Sequence, residues 1–166
     1  MHGIGERVIY GANGVMEIVD IREETVADVS RKYYVLRDLN SASDSQIFVP
    51  VDNKKLVSSM RPLLTKEEAM DMIRRIKTIP EAEWKSDNRI RSEKFREVIE
   101  SGDRDGMIAI IKAVYENGLK RQEEGKKNYL ADENIMKKAE KVIYSELSMV
   151  LGIPENEVAN FITENC

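Results

Sequence analysis

The chain has 166 residues, 42% hydrophobic and 34% charged, with a net charge of −4. That is enough apolar material for one domain or two small ones, and with neither half forming a basic block it excludes a bulk electrostatic attraction to nucleic acid. The single histidine, His2, and the single cysteine, Cys166 at the last position, leave no His/Cys metal site and no internal disulfide, which fits a reducing compartment.

In chain order, the first sixty or so residues read as strands. Arg7–Tyr10 is followed by Gly-Ala-Asn-Gly at 11–14, residues that tolerate positive φ and suit a hairpin connection. Val15–Ile21 alternates partly, with Val15, Glu17 and Val19 on one face and Met16 and Ile18 on the other. Tyr33–Leu36 is aromatic and β-branched, and Asn40–Ser45 is a polar loop. A strand over 46–51 contains Pro50, which lacks an N–H and so belongs at a sheet edge, a strand end or a bulge. Whether that edge serves a partner or is merely a strand end stays open on the residues alone. Arg61–Leu64 supplies a short closing strand, so about five short strands suggest a small twisted barrel.

From Thr65 the period changes. Thr65-Lys66-Glu67-Glu68 is a capping box opening a helix to about Thr78, ended by Ile79-Pro80. A helix from about Asp87 to Glu100 stops at Ser101-Gly102, and Asp103 caps the next, with Met107, Ile110, Ile111, Val114 and Tyr115 at helical spacing. Gly118 and Gly125 bracket its expected end. Ile135, Met136, Ala139, Val142, Ile143 and Leu147 mark a further amphipathic helix, which Gly152 stops, and Pro154 opens a last one. The fold class is α+β: a β-barrel over 1–64, then an all-α domain over 65–166 with about five helices.

Nothing reads as an active site. The glycines at 3, 5, 11 and 14 form no phosphate-cradling loop, and a triad lacks a usable histidine. Carboxylates such as Glu67/Glu68 and Glu123/Glu124 are adjacent in sequence and so diverge on a helix. No metal site or cofactor is implied. The segment Leu151–Val158 is no recognition helix, because Glu155 and Glu157 are its only charges. No stretch approaches the ~18 consecutive apolar residues of a membrane span. MHGIGERVIY lacks a signal layout, so a cytoplasmic location is expected. The lone tryptophan, Trp84, lies among charges at Glu83, Lys85 and Asp87. On the residues alone it reads first as a partly buried packing residue.

As a whole the chain resembles the CarD/CdnL family of bacterial transcription regulators. The features that carry this, in order, are Gly5-Glu6-Arg7-Val8-Ile9-Tyr10-Gly11 with Asn13-Gly14-Val15, Tyr33-Tyr34-Val35-Leu36, Val49-Pro50-Val51-Asp52-Asn53, Trp84 after the first helix, Ser101-Gly102-Asp103, and Ser145-Glu146-Leu147 near Leu151-Gly152-Ile153. The resemblance spans essentially residues 3–163.

The resemblance implies a Tudor-like N-terminal domain that binds the RNA polymerase β subunit, partly by pairing strand edges. It also implies a helical domain that meets promoter DNA at the upstream edge of the bubble and stabilises the open complex. By resemblance Trp84 takes the position of a minor-groove wedge, with Lys85, Arg89, Arg91 and Lys94 as phosphate contacts. Ile47, Phe48 and Val49 fall on one polymerase-contacting strand, and Glu24 and Val26 lie near the other. The chain departs from the family pattern where Asp87 and Glu93 interrupt the basic run and where residues are inserted before Ser101. The alternative is a protein–protein adaptor that uses the barrel without touching DNA.

Overall fold

A computed structural model describes residues 1–166. Five strands, β1 (Arg7–Tyr10), β2 (Val15–Val26), β3 (Val29–Arg37), β4 (Gln46–Pro50) and β5 (Met60–Pro62), form one antiparallel sheet in the order β4-β3-β2-β1-β5. The expected barrel is corrected in one respect: β4 and β5 are not hydrogen-bonded to each other, so the sheet is not closed. A short helix absent from the sequence reading, α1 (Lys54–Ser58), connects these edges instead. Asn53 caps it by accepting from the Leu56 N–H at 3.1 Å, and Leu56 and Val57 pack on the apolar interior of the sheet.

The hairpin of β2 and β3 is longer than the sequence suggested. Its two-residue turn is Ala27-Asp28, both with positive φ (50° and 62°), the backbone a tight hairpin needs. Without glycine or asparagine there, the turn left no signal. A register shift between Ile18 and Asp20 marks a bulge that bends β2.

Successive strand residues face opposite ways, and β1 and β2 use both faces. Val8, Met16 and Ile18 join Tyr34, Leu36, Val49 and Met60 in the sheet's own core. Ile9 and Val15 point the other way, into a core built with the helices. The expected division of Val15 from Met16 and Ile18 is therefore what the chain adopts.

The helices are α2 (Lys66–Arg75), α3 (Asn88–Ser101), α4 (Arg104–Glu123), α5 (Leu130–Leu151) and α6 (Val158–Asn165). The Thr65/Glu68 capping box is present in both directions. Asp87 and Asp103 cap α3 and α4 by accepting from the Ile90 and Gly106 N–H groups at 2.9 and 3.0 Å. Gly102 and Gly152 end α3 and α5 in the left-handed conformation. Gly118 and Gly125 bracket the end of α4 at Glu123, as expected. Gly118 itself lies inside the helix, and the Asn128 side chain sits 2.9 Å from where a β-carbon on it would be, so the glycine admits a close approach. No helix is long and apolar enough to cross a membrane.

Three of the motifs that carried the resemblance, Asn13-Gly14-Val15, Ser101-Gly102-Asp103 and Ser145-Glu146-Leu147, meet at the joint between sheet and helices. The Val15 N–H donates to Ser145 Oγ at 3.3 Å, and the Leu64 N–H donates to Glu146 at 2.8 Å. Arg104 closes on the same carboxylate and also donates to the Pro62 carbonyl. Arg61 lies over Gly102 and donates to the Ser101 carbonyl at 2.7 Å, satisfying the C-terminal end of α3. Burial and the nearby Arg104 charge lower the Arg61 pKa.

Candidate nucleic-acid and partner-binding sites

Trp84 stands in an extended segment between α2 and α3, and hydrogen bonds hold that segment on both sides. The Ala82 N–H donates to the Ala109 carbonyl of α4 at 3.0 Å. Lys112 donates to the Ile79 carbonyl at 2.6 Å and also to that of Ile76. Just past the tryptophan, Arg91 donates to the Lys85 carbonyl at 2.8 Å. The indole is half-buried and packs on the helical core, with its ring edge-on to Phe95 at 6.2 Å. It also lines a pocket of about 150 Å³ with Ala113, Asn117 and Lys120. The packing role read from the residues thus holds for part of the ring, while the rest reaches the surface.

The basic residues named around Trp84 do not behave alike. Arg89 and Lys94 are exposed on α3, and Lys85 is partly so. Arg89 is paired with Glu93 at 3.3 Å, and Lys85 with Glu83 at 2.8 Å. The Glu83 carboxyl is held below its ordinary value, first by the Lys85 hydrogen bond and also by the charges of Lys85 and Lys94. These surface pairs are weak, so phosphates can compete for the cations.

Arg91 corrects the sequence reading. It is 1% exposed and its guanidinium faces inward, with both arms on Asp132 at 3.0 and 2.8 Å. A further donor goes to Asn88 at 2.8 Å. Its carbon lies 4.3 Å from the Trp84 ring centre. A side chain with its donors committed inside the protein is not a phosphate contact. Helical position decides this: Arg91 falls on the face of α3 shared with Phe95, whereas Arg89 and Lys94 fall on the solvent face. Asp132, 41 residues further on, had no signal in the sequence beyond being an acid in a helix's first turn.

In the sheet, β4 is an edge strand, one of the places where Pro50 was expected to be tolerated. The Val51 N–H donates to the Lys32 carbonyl at 3.0 Å. By antiparallel alternation Val49 and Ile47 then face β3, and the backbone of Phe48 and Gln46 turns outward. Pro50 falls in the outward set, where its missing N–H costs no ladder bond. Phe48 is 39% exposed, and its ring lies 6.0 Å from that of Tyr33 and carries Arg22 at 5.6 Å from its centroid. Ile47 is partly buried. Val49 is a second correction: it is 0% exposed in the sheet core, so its side chain cannot touch a partner. On the hairpin, Glu24 is partly buried and 3.9 Å from Arg22. Val26 and Val29, 71% and 66% exposed, sit opposite each other at the tip.

An antiparallel sheet with a protruding hairpin and an open edge, locked to a helical module bearing one anchored tryptophan, is the architecture expected of a CarD-like protein. Residues 3–64 match the model of the CarD-like/TRCF RID domain. Along 97% of its length the chain is also similar, at 24% identity, to the Bacillus subtilis (strain 168) protein named "Putative transcription factor YdeB", of which the match covers 99%.

Proposed function

We propose that this protein regulates transcription by docking on the RNA polymerase β subunit through residues 1–64 and stabilising the open promoter complex through residues 65–166. Polymerase would be met by the outward edge of β4, with Phe48 and the partly buried Ile47, and by the hairpin near Glu24 and Val26. Promoter DNA at the upstream edge of the bubble would be met by Trp84, with Lys85, Arg89 and Lys94 against phosphates.

The observation that carries this reading is that Trp84 is anchored and partly exposed at once. An indole can fill the space left by an unstacked base step and offer one N–H donor. Unstacking costs a few kcal/mol, so a ring already held in place at DNA that polymerase has distorted avoids part of the expense of ordering. The acidic net charge and the ion-paired lysine and arginine give weak affinity for free DNA. Tethering to polymerase supplies the missing effective concentration. Trp84→Ala should leave polymerase binding intact and shorten the lifetime of the open complex; an unchanged lifetime would remove the wedge from the proposal.

One observation favours the adaptor without a DNA contact: Trp84 is packed on Phe95 and Arg91. Footprinting separates the two readings. Added protection at the upstream fork supports the regulator, and its absence with polymerase bound supports the adaptor.

A further inference from the structure

We infer that Arg91, held by Asp132, is the positioning residue of Trp84. This rests on the reading of Trp84 as the promoter contact and concerns how the ring is kept ready.

The geometry converges on the tryptophan from two directions. The Arg91 guanidinium lies against the indole with its carbon 4.3 Å from the ring centre, close enough for a cation–π contact. The same group donates to the carbonyl of Lys85, the residue next to Trp84. Ring and adjoining backbone are thus tied to one rigid plane. That plane is fixed in turn by the two-armed bond to Asp132 of α5 and by Asn88 of α3. Tyr129, just before α5, has its ring 5.6 Å from Arg91 and carries Arg121 at 4.0 Å.

Both charged groups are buried, with Arg91 side chain 1% and Asp132 3% exposed. Removing such a pair from water costs much of what its attraction returns, so net stability is a poor reason for its presence. Orientation is the better one. Of the five guanidinium N–H groups, those on three nitrogens reach four acceptor contacts in a fixed fork. Lysine offers a point charge on a flexible stem and cannot hold ring, carbonyl and carboxylate together.

Trp84 is the only tryptophan, so fluorescence excited at wavelengths beyond tyrosine absorption reports this ring alone. The test uses the full chain and the variants Arg91→Lys and Asp132→Asn, at temperatures well below their melting points. The clamp predicts a red-shifted emission, easier acrylamide quenching and faster depolarisation of Trp84 in both variants. It also predicts shorter open-complex lifetimes, with Trp84→Ala/Arg91→Lys no shorter than Trp84→Ala. Lower melting temperatures with unchanged Trp84 emission and quenching would make the pair merely structural and overturn the inference. So would free subnanosecond wobble of the ring in the wild-type protein, a measurement that needs no variant to fold. If the variants loosen the ring while Trp84→Ala itself leaves the lifetime unchanged, positioning stands and the DNA reading falls.

Discussion

Glu146 of α5 and Arg104 of α4 form a two-armed pair at 2.7 Å on each oxygen, and the same carboxylate takes the Leu64 N–H at 2.8 Å. Glu146 is 1% exposed, while a quarter of the Arg104 side chain still reaches water. One buried carboxylate therefore binds the start of α4, the middle of α5 and the chain segment leaving the sheet.

Glu146→Ala strips three donors of their acceptor in a closed site. Breaking a buried pair from one side typically costs about 3–5 kcal/mol. Urea unfolding should show a midpoint lowered accordingly. Loss of the joint should also weaken any effect on the open complex more than it weakens binding to polymerase.

Gly14 presents its α-carbon to the same helix. A β-carbon there would lie 2.6 Å from Ser145 Oγ, and φ is +79° with ψ −149°, a region closed to other residues. Gly14→Ala should therefore cost about 1–3 kcal/mol through backbone strain alone, with more from the contact. Adding Ser145→Ala should recover only the contact, so a thermal melt of the double variant stays below that of Ser145→Ala.

Phe48 and Val49 are neighbours with opposite roles, and substitution should separate them. Phe48→Asp should leave the melting curve close to wild type and abolish co-purification with the polymerase β subunit. Val49→Ala should retain that binding and lower stability by about 2 kcal/mol, since it removes buried methyl groups and leaves a small cavity. Equal loss of binding in both would point to damage of the strand rather than to an interface on its outer side.

Glu68 gives a pH dependence of known sign. Its carboxyl lies below its ordinary 4.5, first because it accepts from the Thr65 N–H in the capping box. The folded chain takes up that proton less readily than the unfolded one, so the stability contributed is present above pH 4.5 and drains as the pH falls through the folded value. Glu6, lowered chiefly by its hydrogen bond to His2, and Glu83, lowered chiefly by Lys85, act in the same direction. The difference in melting temperature between wild type and Glu68→Gln should be largest near neutrality and close up in acid.

Much of the fold was legible because local chemistry determined it. Asp103 and Thr65 announced helix starts through side chains that satisfy nearby N–H groups, Gly102 and Gly152 announced ends, and Pro50 narrowed its place to an edge, a strand end or a bulge, each acting within a few residues. The Ala27-Asp28 turn and α1 escaped notice for the converse reason. Tertiary pairing forces positive φ on an ordinary Ala-Asp, and five residues are too few to show a period.

By itself the sequence determined the strand-then-helix order and the tryptophan set between charges. Only the tertiary structure decided what those charges do. Arg89, Arg91 and Lys94 look equivalent along the chain, yet α3 presents two to solvent and buries the third against Asp132. The same holds for Phe48 and Val49, which strand alternation sends to opposite sides of β4. Burial depends on what packs against a face, and Asp132 and Trp84 become partners of Arg91 only when α5 and the segment before α3 close on it.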